Sequence, residues 1–331
     1  MLTRKMAILT IVILLCTAFV FTLRFLVFTP EQAIKIKPKI IIVSKTSDPN
    51  VEFWQTLAAG SKVAAKEFGA EVEILAPRLE NDVDSQIKMV DTILKYGPLP
   101  KAIILAPIDA EKMTPLAEKI KKAGVQLITI EAMLKGNLAS SVIVTDHVVE
   151  GKKAGEEAKR LLPSRSRVFI INDDKSSPVQ MEREKGVREA LAVYPSIQIM
   201  DTHYINGENE AYEFTQQHLS GSDSIDGIIT LSEAGTKGAA QAVKKLGFPG
   251  KVKLVCFSSS IEEIDQLEKG EIQSIVVQKP FNMGYLGVKT SVQLLNGEKI
   301  NPQIDTGSEV VTRDNMYDYE IEKLLFPFGE R

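Results

Sequence analysis

From residue 39 onward the chain alternates short apolar runs with longer stretches of helical periodicity. The first runs are Ile40-Ile41-Ile42-Val43, Val72-Glu73-Ile74-Leu75, Ala102-Ile103-Ile104-Leu105, Val125-Gln126-Leu127-Ile128-Thr129-Ile130 and Val142-Ile143-Val144. A second series comprises Val168-Phe169-Ile170-Ile171, Ile197-Gln198-Ile199-Met200, Gly227-Ile228-Ile229-Thr230-Leu231, Val252-Lys253-Leu254-Val255-Cys256 and Ile272-Gln273-Ser274-Ile275-Val276-Val277. Continuous apolar, β-branched runs suit strands covered on both faces, as in parallel sheets. Between them, Trp54, Leu57, Ala58, Ala64, Ala65 and Phe68 fall on one helical face, as do Met113, Leu116, Ala117 and Ile120. Val187, Ala190 and Leu191 mark another helix, and Lys121-Lys122-Ala123-Gly124 reads as a helix stop. Repeated strand-helix-strand order predicts an α/β fold with doubly wound parallel sheets. Ten strands are more than one small sheet usually holds, so two sheets in two lobes are expected.

The N-terminus has a different pattern. Arg4 and Lys5 precede about eighteen uncharged residues, Met6 to Leu23, near the ~20 that span a bilayer core. Arg24 interrupts and Phe25-Leu26-Val27-Phe28 follow. The leading charges place the N-terminus in the cytoplasm and the body outside. There is no A-x-A cleavage pattern after the run, and Leu15 before Cys16 does not suit a lipoprotein. Residues 1–28 are therefore expected to be an uncleaved membrane anchor, with a cleaved signal as the alternative, and 29–37 a linker.

Charge and chemistry narrow the function. Forty basic residues face forty-three acidic ones, which gives no electrostatic reason to expect nucleic acid. Cys16 and Cys256 are too far apart in pattern to suggest a disulfide, and His147, His203 and His218 lack metal-ligand spacing. There is no GxGxxG after a strand, no P-loop and no GxSxG elbow. No cofactor and no catalytic apparatus are expected. In α/β folds ligands sit beyond the carboxyl ends of strands. Asp48, Asp109, Glu131, Asp146 and Glu233 fall at such ends. Asp109 directly precedes a helix and is expected to cap it. Asp146 is a stronger ligand candidate.

Several motifs stand out along the body: Ile42-Val43-Ser44-Lys45 with Phe53-Trp54-Gln55 and Gly60, Ile104-Leu105-Ala106-Pro107-Ile108-Asp109, and Thr145-Asp146 with Gly151 and Gly155. Arg183-Glu184-Lys185-Gly186, Val277-Gln278-Lys279-Pro280 with Met283-Gly284, and Asp305-Thr306-Gly307 complete the set, which spans Lys39 to Leu325. Together they resemble the periplasmic sugar-binding proteins of the ribose-binding type, which are related to the sensing domains of lactose-repressor-like regulators. The resemblance implies two Rossmann-like lobes, 38–145 with 279–304 and 146–278 with 305–331. Three hinge crossings would lie near Thr145-Asp146, Gln278-Lys279 and Asp305-Thr306. A small ligand, usually a sugar, is trapped between such lobes.

Carried over residue by residue, the resemblance implies ligand contacts at Lys45, Phe53, Trp54, Glu131, Asp146, Arg183, Ser232, Ser258 and Gln278. One ring of Phe53-Trp54 is expected in the pocket. The pattern also departs from the family. Glu131 stands where Asp is usual and Ala132 where Arg often follows. His147 replaces the Asn of Thr-Asp-Asn, Ser232-Glu233 replaces Asn-Asp, and Cys256-Phe257-Ser258 replaces Gly-Phe-Asp. These departures imply either a ligand other than an ordinary pentose or hexose, or a weakened site. The resemblance implies delivery to an ABC sugar permease or sensing for a membrane histidine kinase. The alternatives are an α/β enzyme acting on carbohydrate and an interaction module whose pocket has lapsed. A repressor is not expected, since an apolar run and not a helix-turn-helix precedes the body.

Overall fold

The computed structural model describes residues 14, 15, 17–19, 22, 37–49, 51–173, 175, 177–221, 225–257 and 260–326. The expected anchor over 1–28 and the linker over 29–37 fall almost wholly outside these residues, as does Cys16. Among the described residues no helix is long and apolar enough to cross a membrane. The body from Pro38 onward is one compact unit.

The first half alternates β1 (Lys39–Val43), α1 (Glu52–Phe68), β2 (Glu71–Leu75), α2 (Val83–Lys95), β3 (Ala102–Leu105), α3 (Ala110–Lys122), β4 (Gln126–Ile130) and β5 (Ser141–Val144). There follow α4 (His147–Leu161), β6 (Arg167–Asn172), α5 (Pro178–Ala192), β7 (Gln198–Ile199), β8 (His203–Tyr204), α6 (Glu208–Ser220), β9 (Gly227–Thr230), α7 (Glu233–Lys245), β10 (Lys253–Phe257), α8 (Ile261–Glu268) and β11 (Ser274–Gln278). The chain ends with α9 (Pro280–Leu295), β12 (Gln303–Asp305), β13 (Ser308–Thr312) and α10 (Tyr319–Leu325). One sheet has six parallel strands in the order β12-β5-β4-β3-β1-β2. The other has seven, β13-β11-β10-β9-β6 with β7 and β8 both on β6, and only β13 runs antiparallel.

The apolar runs are continuous because both faces are covered. Ile40 and Ile42 join Trp54 and Leu57 of α1 and Met283 and Val288 of α9 in one cluster. The alternate residues Ile41 and Val43 join Val90 of α2 and Met113 and Leu116 of α3. The second sheet repeats this. Phe169 and Ile171 pack with α6, α7 and α8, while Val168 and Ile170 pack with α4 and α5. Backbones approach closely where glycines meet. A Cβ on Gly60 would lie 2.0 Å from the Phe281 carbonyl oxygen of α9, and one on Gly151 would lie 2.0 Å from the Arg183 carbonyl oxygen of α5. The same device thus seats α1 on α9 in one lobe and α4 on α5 in the other.

All ten expected runs form strands, although the one over 197–200 shrinks to two residues. β8, β12 and β13 were not expected. The chain changes sheet three times: from β5 to α4, from β11 to α9, and from β12 to β13. At the first and third of these Thr145 and Thr306 hydroxyls lie 3.0 Å apart.

Candidate functional site

The residues that follow the strands double as helix caps, so helix N-termini converge on the carboxyl edge of each sheet. Asp109 accepts from the N–H groups of Glu111 and Lys112, both at 2.9 Å, and caps α3 as expected. Asp146 caps α4, accepting from Val149 N–H at 2.9 Å, and is exposed. Ser232 caps α7, accepting from Gly235 N–H at 3.3 Å, and is buried. These side chains satisfy N–H groups that the helix ends would otherwise leave unpaired.

In the lobe of the six-stranded sheet, Lys45 follows β1 and Glu131 follows β4. They form an ion pair, with each side chain 14% exposed. Glu131 holds a positive φ of 67°, a conformation that costs a non-glycine residue free energy and that concentrates at functional sites. Trp54 is buried in the core, edge-on to the half-buried Phe53 at 4.9 Å. Its indole Nε1 donates to Glu80 Oε1 at 3.0 Å. Glu80 lies in the loop after β2. Desolvation pushes its carboxyl above the usual range; the Trp54 N–H and Lys45 oppose this, and Glu131 and Asp173 add to it. Asp173 follows β6 of the other sheet, so the strand ends of the two lobes face each other here.

In the second lobe the organising residue is Glu150, fully buried on α4. Its Oε2 accepts from Arg183 Nε at 3.2 Å and Gln278 Nε2 at 3.3 Å, and lies 2.8 Å from His147 Nδ1. Its Oε1 is buried without a hydrogen-bond partner. Burial pushes this carboxyl up, but the Arg183 charge and the His147 contact outweigh it and hold it below the usual range. Arg183 also donates to the Leu231 carbonyl at 3.2 Å, and its guanidinium lies 4.6 Å from the centre of the Phe257 ring. Ser258 lies outside the described residues.

The sequence-derived set thus divides in two. Lys45 and Glu131 pair beside the Trp54–Glu80 bond, while Arg183 and Gln278 meet on Glu150. Phe53 packs on Trp54, and Asp146 and Ser232 cap helices. Glu80 and Glu150 were not among the expected residues. A signal for Glu150 was present: His147, Glu150, Gly151, Ala154, Gly155 and Ala158 form the buried stripe of α4, and a carboxylate in such a stripe demands partners. Glu80 carries no local signal, since its partner is 26 residues away.

Two lobes with paired, hydrogen-bonding side chains at facing strand ends can hold a small polar molecule. A sequence model described as a periplasmic binding protein domain matches residues 40–299. The chain belongs to this family. This periplasmic binding protein is 22% identical over 273 residues to a ribose import binding protein of Haemophilus influenzae, covering 82% of this chain and 90% of that one. It is 23% identical over 256 residues to a xylitol-binding protein of Mycolicibacterium smegmatis, covering 77% and 72%. Among solved structures, a sugar transporter from Clostridium phytofermentans is 33% identical with a TM-score of 0.72, covering 83% of this chain and 99% of that one. A carbohydrate transporter solute binding protein from Agrobacterium radiobacter, in complex with D-arabinose, is 26% identical with a TM-score of 0.79, covering 88% and 99%. Three of these four are named for import or transport, and this periplasmic binding protein is not an enzyme. Its Cys256 is a fully buried thiol that burial pushes up to about 12, far from reactive.

Proposed function

We propose that this protein captures a sugar or related polyol outside the cytoplasm and delivers it to an ABC permease. The lobes, 38–145 with 279–304 and 146–278 with 305–331, close over the ligand. The observation that carries this reading is the facing of the two strand-end groups across the crossings. Lys45, Glu131 and Glu80 come from one side, and Arg183, Gln278 and Glu150 from the other. Relatives named for ribose, allose and xylitol support it. A sugar offers a rim of hydroxyls and apolar C–H faces. Carboxylate, guanidinium and amide groups answer the rim, and Phe53 and Trp54 answer a face. Asp146, Ser232 and Ser258 are assigned to the same pocket by the motif positions they share with the family. Ligand stabilises the closed form by as much as it binds that form better than the open one.

Residues 1–28 act as an uncleaved anchor in this reading. The apolar run without a lipoprotein cysteine pattern also favours a second reading, in which the closed receptor biases a membrane histidine kinase.

A thermal-shift screen against pentoses, hexoses, polyols and sugar acids tests the capture. Binding to the folded state raises the melting temperature by mass action. A dose-dependent rise with a sugar or polyol is expected. A flat response to the whole panel would mean a lapsed pocket.

A further inference from the structure

The cleft is unevenly charged. Four cations near the strand ends and crossings already have partners. Lys45 is paired with Glu131, Arg183 with Glu150, and Lys279 with Glu309 at 2.7 Å, while the Lys175 ammonium lies 4.3 Å from the centre of the Tyr204 ring. Glu80 differs, because its hydrogen bond comes from a neutral donor, the Trp54 indole. Water reaches Glu80, yet protein encloses it on enough sides to desolvate it. Glu131 and Asp173 face it with like charge. Deeper in, the fully buried Glu150 keeps Oε1 without a partner beside Arg183 and Gln278, two residues assigned to the pocket. Around Glu80, Glu131 and Asp173 add like charge while Lys45, itself paired with Glu131, opposes it, so negative charge outweighs positive at this end of the cleft. A phosphate or carboxylate on the ligand would be repelled there. The complementary group is a cation with several N–H donors. Among the described residues no three His, Cys, Asp or Glu side chains are placed to hold a metal ion, so the cation is organic.

We propose that the ligand of this cleft carries a protonated amine, as an amino sugar or amino polyol does, and that Glu80 pairs with it. The inference rests on the lobe-closure reading above and adds to it the charge class of the ligand. The ammonium donates to the Glu80 carboxylate beside Trp54, and the ring hydroxyls occupy the Arg183, Gln278 and Glu150 side.

Titration calorimetry on the full chain decides it. D-glucosamine, D-galactosamine and a monoamino-inositol are each compared with D-glucose, D-galactose and myo-inositol, and with D-glucuronate and glucose 6-phosphate. At least one amine is expected to bind about tenfold or more tightly than its neutral parent, the scale of one charge-assisted hydrogen bond. Glu80→Gln, which keeps an acceptor for the Trp54 indole, should lower the amine's affinity far more than the parent's and so erase most of that ratio; Glu80 is exposed, so the fold survives. A neutral parent that binds as well as its amine, an anion that binds best, or a ratio untouched in Glu80→Gln would overturn the amine and leave capture standing. Binding of nothing in the set would overturn the amine, and capture falls with it only if the wider thermal-shift screen is flat as well.

Discussion

Glu150 is a carboxylate with no exposed surface, held by Arg183, His147 and Gln278. Its proton affinity is depressed in the folded state, so its contribution to stability is present at neutral pH and is lost as pH falls through the folded value. Removing the guanidinium leaves a buried charge without its main counter-ion, which costs about 3–5 kcal/mol. Arg183→Met should therefore lower the urea midpoint sharply at pH 7. Part of that loss should return near pH 5, where the stranded carboxyl can take up a proton; an equal loss at both pH values would mean that Arg183 acts through packing alone. His203 is likewise held below its ordinary value, here because burial disfavours its charged form, and it too costs stability as pH falls. Burial lowers its affinity for a proton below the ordinary value, helped by His218 and opposed by Glu210, while its ring stacks on Phe214 at 3.7 Å. The unfolded chain then binds a proton first as pH falls below about 6.5. Stability should drop over that window, and His203→Phe, which keeps the stack, should flatten the drop in midpoints measured from pH 7 to pH 5. These residues also mark the limit of what could be read locally. Lys45, Arg183 and Gln278 were recognisable from the motifs around them. That Glu150 gathers two of them follows from a stripe on one helix, whereas Glu80 depends on a loop reaching a distant tryptophan.

Helices and strands were legible to different degrees for a physical reason. Strands covered on both faces must be apolar at every position, as Ile40 to Val43 are, and such runs stand out. β8 is His203-Tyr204, and β12 is Gln303-Ile304-Asp305. Both are short, partly polar edge elements. What makes them strands is pairing with β6 and with β5, where Ile304 lies opposite Ile143, 161 residues away in sequence. The helix contacts were visible only as isolated glycines. Their role is close approach: a Cβ on Gly151 would meet the backbone of α5, which carries Arg183. Gly151→Ala should cost about 2–3 kcal/mol through overpacking, read as a shift in denaturant midpoint. It should also weaken ligand binding, because α5 cannot then seat Arg183 against Glu150. A variant with unchanged midpoint would mean that the helices part without cost.

At the scale of the whole molecule, three chain crossings join two sheets, and Glu80 and Glu131 after strands of one sheet come near Asp173 after β6 of the other. Closure by bending at the crossings requires that the bonds there survive while groups farther out separate. The Thr145–Thr306 contact and the Gln278–Glu150 bond sit at the crossings. Gln278→Ala should weaken ligand binding by about 1–2 kcal/mol with little change in melting temperature of the ligand-free protein; unchanged affinity would remove Gln278 from the site. The departures from the family pattern at Glu131, His147 and Ser232 leave the fold untouched, since none of them interrupts a core run.

The most direct test of capture by closure is small-angle X-ray scattering on the full chain, alone and saturated with the strongest binder from the ligand screen. The account predicts a smaller radius of gyration with ligand bound. A radius that stays the same while the ligand binds would contradict it.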